Sequence, residues 1–177
     1  VAIQDALCSD IAMCLDECPA AGAPREEIEL AVKRTSLWAG VSTVAWKDGD
    51  GEAEGRKLFG IVQGGRFEEL RRQSAEELVK LGFPGYAVGG VSVGETEEEM
   101  LEQVQWTVRL LPDDKPRYVM GVGTPPQLLK MIGMGADMFD CVMPSRAARH
   151  GTAYTRMGTL NLRNERFRDD FSALDEE

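Results

Sequence analysis

The chain is poor in the residues that build metal centres. It has one histidine, His150, and four cysteines, Cys8, Cys14, Cys18 and Cys141, with no CxxC pair among them. A zinc site needs clustered thiolates and imidazoles, so no metal is expected on these 177 residues. An apolar content of 43% builds a core without disulfide staples, so reduced, cytosolic thiols packed as small hydrophobes are expected. Positive charge is also short: 20 basic against 30 acidic side chains give a net charge of −10. That excludes a uniformly basic nucleic-acid binder but leaves room for a local basic patch. No apolar run approaches the ~18 residues of a membrane span, and no basic-then-apolar leader opens the chain. Glycine and proline are scattered, which excludes low-complexity and collagen-like architectures. The first residue is Val1 rather than Met, and the closing Leu-Asp-Glu-Glu follows no helix. Both ends are therefore expected to be cut.

What is present is a rhythm. Apolar strand-like runs at 9–17, 57–65, 86–94, 117–123 and 136–143 alternate with helix-spaced stretches at 24–46, 66–82, 95–111 and 125–135. Gly82 reads as a helix stop, acids open the stretch from Glu95, and Pro112 ends it. Two further strand-like pieces, TAYTRM and TLNLRN, follow in the tail. Five β units separated by four helices predict an α/β fold with parallel strands and helical crossovers. The near-continuous apolar strands fit a sheet buried on both faces. Two architectures suit this pattern: an open doubly wound sheet, or part of a (β/α)8 barrel, which as a whole takes ~250 residues. No GxGxxG follows the first strand, which weakens a dinucleotide-binding version.

In either architecture the active site lies at the carboxyl ends of the strands. The five predicted runs end in Asp16-Glu17-Cys18, Gln63-Gly64-Gly65, Gly89-Gly90, Met120-Gly121-Val122-Gly123 and a segment carrying Asp140. Carboxylates, an amide and backbone-exposing glycines thus converge on one rim. Strand alternation puts Ala12, Cys14 and Asp16 on one face and Ile11, Met13 and Leu15 on the other, the larger set meeting helices. Asp140 reads as a mid-strand carboxylate sharing its face with Met138 and Val142, partly desolvated and a candidate nucleophile. Residues 144–168 then carry Arg146, Arg149, Arg156, Arg163, Arg166 and Arg168 against Glu165 alone, a local charge of +5 against −15 for the remainder. Arginine without lysine suits forked contacts with phosphates or base edges.

The segments MGVGTPPQLLKMIGMGADMFDCVMPSRAARHG, GYAVGGVSVGE, FGIVQGG and SDIAMCLDEC together closely resemble the bacterial tRNA-guanine transglycosylase (queuine tRNA-ribosyltransferase) family. The resemblance is collinear and covers most of the chain. It implies a (β/α)8 TIM barrel, here a partial barrel of about five β/α units over 1–143. Residues 144–177 become an arginine-rich tRNA-contacting segment leading toward a zinc subdomain. The implied activity exchanges guanine at the anticodon wobble position for a 7-substituted deazaguanine. Asp140 matches the nucleophile that attacks ribose C1′. Asp16 matches the carboxylate that accepts hydrogen bonds from the guanine-type edge, with Gln63, Gly90 and Met120 as further base contacts. Cys18 and Val93 look like the bacterial form and imply 7-aminomethyl-7-deazaguanine as incoming base. Gly121, Val122, Gly123, Thr124, Pro125, Pro126 and Gln127, and Ser145, Arg146, Ala147, Ala148 and Arg149, match tRNA-contacting segments. Thr124 stands where a lysine is common. The implied partners are the tRNA anticodon loop and the deazaguanine base, with a homodimer for the full-length protein, in the cytoplasm.

The family's acid/base aspartate lies in a DSGGFQ-like motif that this chain does not contain. Its structural zinc motif, CxCxxC plus a later His, would begin past residue 177. The fragment alone is therefore expected to be inactive. Two other readings stay open: a non-catalytic tRNA-binding family member, and a different barrel enzyme, such as a glycosidase using Asp16 and Asp140 as a carboxylate pair. With three Trp and three Tyr, few near the strand ends, sugar-stacking platforms are scarce.

Overall fold

The computed structural model describes residues 1–175. The chain divides into two compact units, Val1–Asp140 and a second from Cys141 onward. The first unit opens with a short helix, α1 (Ala2–Ala6), and then alternates: β1 (Ile11–Met13), α2 (Arg25–Lys47), β2 (Lys57–Val62), α3 (Glu68–Leu81), β3 (Tyr86–Val88), α4 (Glu97–Val108), β4 (Arg117–Val119), α5 (Pro125–Met134) and β5 (Met138–Phe139). The five strands form one sheet in the order β1-β2-β3-β4-β5. Every pair is parallel, with Ala12 opposite Leu58, Ile61 opposite Ala87, Ala87 opposite Tyr118 and Val119 opposite Phe139. The sheet is curled into a half-barrel. Each strand lies beside its neighbour in sequence, as in a barrel; the open doubly wound alternative, whose strand order reverses, does not describe it.

The helices form where the apolar spacing says they should. α2 buries Ile28, Ala31, Val32, Thr35, Ala39, Ser42 and Trp46, one stripe at steps of three and four. α3 stops at Gly82, whose left-handed backbone (φ 73°) costs a glycine nothing. α4 opens on a reciprocal cap between Thr96 and Glu99. α5 starts with two prolines and ends at Gly135 in the left-handed region. Against the sheet these helices bury Leu58, Ile61, Val62, Leu78, Val88, Val104, Val119 and Met131 in one cluster. Each such side chain contributes about 1.5–3 kcal/mol relative to exposure.

The strands are shorter than their apolar runs. β1 leaves the ladder after Met13, so alternation does not extend to the rim: Ala12 and Cys14 are buried as expected, but Leu15 is exposed rather than packed on a helix. The run at 86–94 pairs only over Tyr86–Val88, and glycines and Ser92 (φ 61°) turn the rest into a loop. β5 ends at Phe139, so Asp140 follows the strand instead of sitting within it.

The second unit, from Cys141 onward, holds α6 (Met143–Arg149), which hydropathy spacing does not announce. An antiparallel hairpin of β6 (Thr152–Thr155) and β7 (Gly158–Asn161) follows, then a single 3-10 turn, Glu165–Phe167. Both strands overlap the strand-like pieces of the tail sequence. The Arg163 guanidinium donates to the Arg149 carbonyl, tying the residues after the hairpin back to the end of α6.

Candidate active site

The residues that follow β1, β2 and β3 come together. Gln63, buried at the end of β2, donates from Nε2 to Asp16 Oδ2 at 2.6 Å. The Gln63 backbone N–H is held by Ser74 Oγ of α3 at 3.1 Å, which fixes the side chain's root. Cys18 lies in the same cluster. Burial and the Asp16 charge push its thiol up, while hydrogen bonds from Gln63 and the Gly90 amide pull it down. Gly90 has φ 63°, and a Cβ there would stand 2.5 Å from Gln63 Oε1, so glycine is required twice over. Gln63 Oε1 is buried and has no hydrogen-bond partner. The cluster therefore offers a carboxylate acceptor, an amide and a backbone donor within one small volume.

Val93, at the far end of the β3–α4 loop, is half-buried, and its N–H donates to Glu95 Oε2 at 2.8 Å. The other Glu95 oxygen accepts from the Ser92 N–H. Glu95 thus pins the loop that carries Gly90 and Val93. Sequence reading places Glu95 only in an acidic helix start, because its partners are backbone amides that no composition pattern marks.

The ends of β4 and β5 make a second group. Asp140 is exposed, not desolvated: one oxygen, Oδ1, accepts from the Tyr118 hydroxyl at 2.6 Å and from the Gly121 N–H at 2.8 Å. Gly121 takes φ 71° to aim that N–H. Burial first, and then the Asp140 hydrogen bond and charge, raise the Tyr118 pKa, so the hydroxyl remains a donor through the neutral range. Tyr118 is a site residue that sequence reading misses, because its partner follows the next strand, 22 residues away in the chain. Met120, beside it, is half-buried and packs against the core cluster.

Of the segment 121–127, Val122 and Gly123 are buried, and Gln127 Oε1 accepts from the Thr124 N–H at 3.2 Å to cap α5. Pro125 and Pro126 form the first turn of that helix and are exposed. In the second unit Ser145, Arg146, Ala148 and Arg149 lie exposed on α6, and Ala147 is buried.

Comparison with known proteins places the chain in a family. A model of the queuine tRNA-ribosyltransferase family matches residues 1–177. The chain is 50% identical over 175 residues to a queuine tRNA-ribosyltransferase of Bacillus subtilis (strain 168), covering 99% of this chain and 45% of that protein. It is 51% identical over 177 residues to one of Agrobacterium fabrum, covering 100% of this chain and 46% of the relative. A relative from Streptococcus pneumoniae is 48% identical with the same coverage. The chain spans less than half the length of these curated relatives. A family model that matches the whole chain, joined to identity of about half over its full length, shows that it belongs to the queuine tRNA-ribosyltransferase family.

Proposed function

We propose that the full-length protein is a tRNA-guanine transglycosylase that replaces guanine at the anticodon wobble position. The observation that carries this reading is the pairing of Asp16 with the side-chain amide of Gln63 on the same rim as an exposed aspartate. A guanine edge presents two donors, N1–H and the 2-amino group, beside one carbonyl acceptor. An ionised carboxylate is acceptor-only and takes the two donors.

In the first half-reaction an Asp140 oxygen attacks ribose C1′. The C1′–N9 bond breaks, its electron pair leaves with guanine, and a general acid protonates the departing base. In the second half the incoming base loses its N9 proton, attacks C1′ and releases Asp140. Two displacements of moderate difficulty replace one hard one. Tyr118 and Gly121 load one oxygen of Asp140 and leave the other free to attack. The acid/base aspartate of the family motif is not among these 177 residues, so the chain by itself is expected not to turn over.

Cys18 and Val93, of the bacterial type, favour 7-aminomethyl-7-deazaguanine as incoming base. Met120 would pack on its face. The target nucleotide has to leave the anticodon stack to reach Asp140, and the segments 121–127 and 145–149 would hold its neighbours. A homodimer and a cytoplasmic location go with this reading; among the described residues no helix is long and apolar enough to cross a membrane. A structural zinc also belongs to it, on a Cys/His motif outside these residues. Among the described residues no three His, Cys, Asp or Glu side chains gather, so none is assigned to that metal.

The test is to trap a covalent tRNA adduct on the full-length protein and to measure labelled guanine incorporation. Asp140→Asn should abolish both. A full-length protein that forms no adduct and exchanges no base would be a non-catalytic tRNA-binding member instead. Turnover by the 177-residue chain alone would show that its acid/base group lies within it.

A further inference from the structure

Arg71 of α3 is fully buried. Its Nε donates to the Gly65 carbonyl at 2.6 Å. Nη1 donates to the Gly89 carbonyl at 3.1 Å and to Thr107 Oγ1 at 3.3 Å. Nη2 donates to the Gly90 carbonyl at 3.0 Å and to Gln103 Oε1 at 2.8 Å. All five guanidinium donors are used, and every partner is neutral. Burial lowers its pKa to about 10, which still leaves it charged at neutral pH.

A buried cation among neutral partners is an expensive way to fill a core, since an apolar side chain of similar volume would serve stability as well or better. What the arginine does that an apolar residue cannot is grip three carbonyls from two loops. One loop follows Gln63; the other contains Gly90. Across a trans peptide the C=O and N–H point in opposite directions. With the Gly89 carbonyl turned toward Arg71, the Gly90 N–H must face away from it. The Gly90 amide acts on the Cys18 thiol, pulling its pKa down. The next peptide repeats the pattern, its Gly90 carbonyl on Arg71 and its Val91 N–H turned away. A cation bonded to a peptide carbonyl also polarises the group and strengthens its N–H as a donor.

We propose that Arg71 is a positioning residue for base recognition: by holding the Gly89 and Gly90 carbonyls it aims the Gly90 N–H at the carbonyl oxygen of a guanine-type base whose two donors sit on Asp16. Gln103 and Thr107 of α4 hold the guanidinium in place. The inference rests on the transglycosylase reading and extends it to a helix residue outside the pocket.

The experiment uses the full-length protein and measures KM for free guanine and KM for tRNA separately. Wild-type protein that exchanges no guanine would refute the transglycosylase reading, whatever Arg71 does. In an active wild type, Arg71→Lys keeps the charge but cannot span three carbonyls. It should raise KM for guanine about tenfold, the effect of losing a charge-assisted hydrogen-bond set. KM for tRNA should move far less, because phosphate contacts dominate its affinity. An unchanged KM for guanine, or a parallel loss in both constants as a loosened fold would give, overturns the proposal. If Arg71→Lys does not fold, Gln103→Met decides, since it leaves Arg71 in place and removes one anchor. It should raise the same constant about threefold; no change there overturns the proposal.

Discussion

The two halves of the rim are built differently. At the ends of β1, β2 and β3 the polar groups are buried or half-buried and cross-braced: Asp16 by Gln63, Gln63 by Ser74, and the glycine loops by Arg71. At the ends of β4 and β5, Asp140 stands exposed on two hydrogen bonds. A group that must recognise a planar edge gains from immobility, because each bond then costs little ordering at the moment of binding. A nucleophile gains from one free oxygen and an open approach. Under the proposed function the difference makes recognition and attack separable, and mutations should divide along the same line.

The largest effect expected after loss of Asp140 is at the recognition end. Asp16→Asn removes a charged acceptor and sets an amide donor against the donors of the base, so kcat/KM for guanine should fall about 100-fold or more. A variant with normal guanine kinetics would break the division. Tyr118→Phe should act at the other end. Removing one of the two donors that orient Asp140 should lower kcat about tenfold and leave the Kd for guanine unchanged. A raised Kd would mean that the two halves are coupled. Next comes pH. Burial pushes the Cys14 thiol from 9.0 up to about 12. Below pH 9 the thiol is protonated in both the folded and unfolded chains and contributes nothing. Above it the unfolded chain loses the proton first, so stability should fall between pH 9 and 12 by about 1 kcal/mol per pH unit. Denaturant midpoints across this range should flatten in Cys14→Ala, with guanine kinetics at neutral pH preserved. The smallest effect is Thr96→Ala. It removes the cap of α4, the helix that anchors Arg71, and should cost about 1 kcal/mol in thermal unfolding. A change in guanine KM as well would show that the recognition end draws on the whole of α4 and not only on Gln103 and Thr107.

Much of this was legible before any coordinates. The 3.6-residue spacing in α2 through α5 and the glycine stops mark the β/α units, and the strand-end rule gathers Asp16, Gln63, Gly90 and Asp140 on one rim. Strand lengths were not legible. Hydropathy reports burial, and the rim loops after Met13 and Val88 still carry apolar residues such as Cys14, Leu15, Val91 and Val93, so the runs read longer than the strands. The exposure of Asp140 was misread for the same reason, since Met138 and Val142 look like flanking core but Val142 is itself exposed. Tyr118, Glu95 and Arg71 stayed hidden because each acts through backbone or through a partner distant in sequence. A buried arginine on an otherwise amphipathic helix reads as one more charge on the outer face.

The strand order has a consequence for how the chain comes into being. Because β1 to β5 pair strictly with their successors, each strand from β2 to β5 finds a neighbour already made and waiting behind it. From β2 to β5 no strand waits for its preceding neighbour, so this part of the sheet can lengthen in step with translation. Each step adds one rim residue to the candidate site, Asp16 first and Asp140 last. A nascent chain would thus acquire the means to hold a base before it acquires the means to react with its sugar.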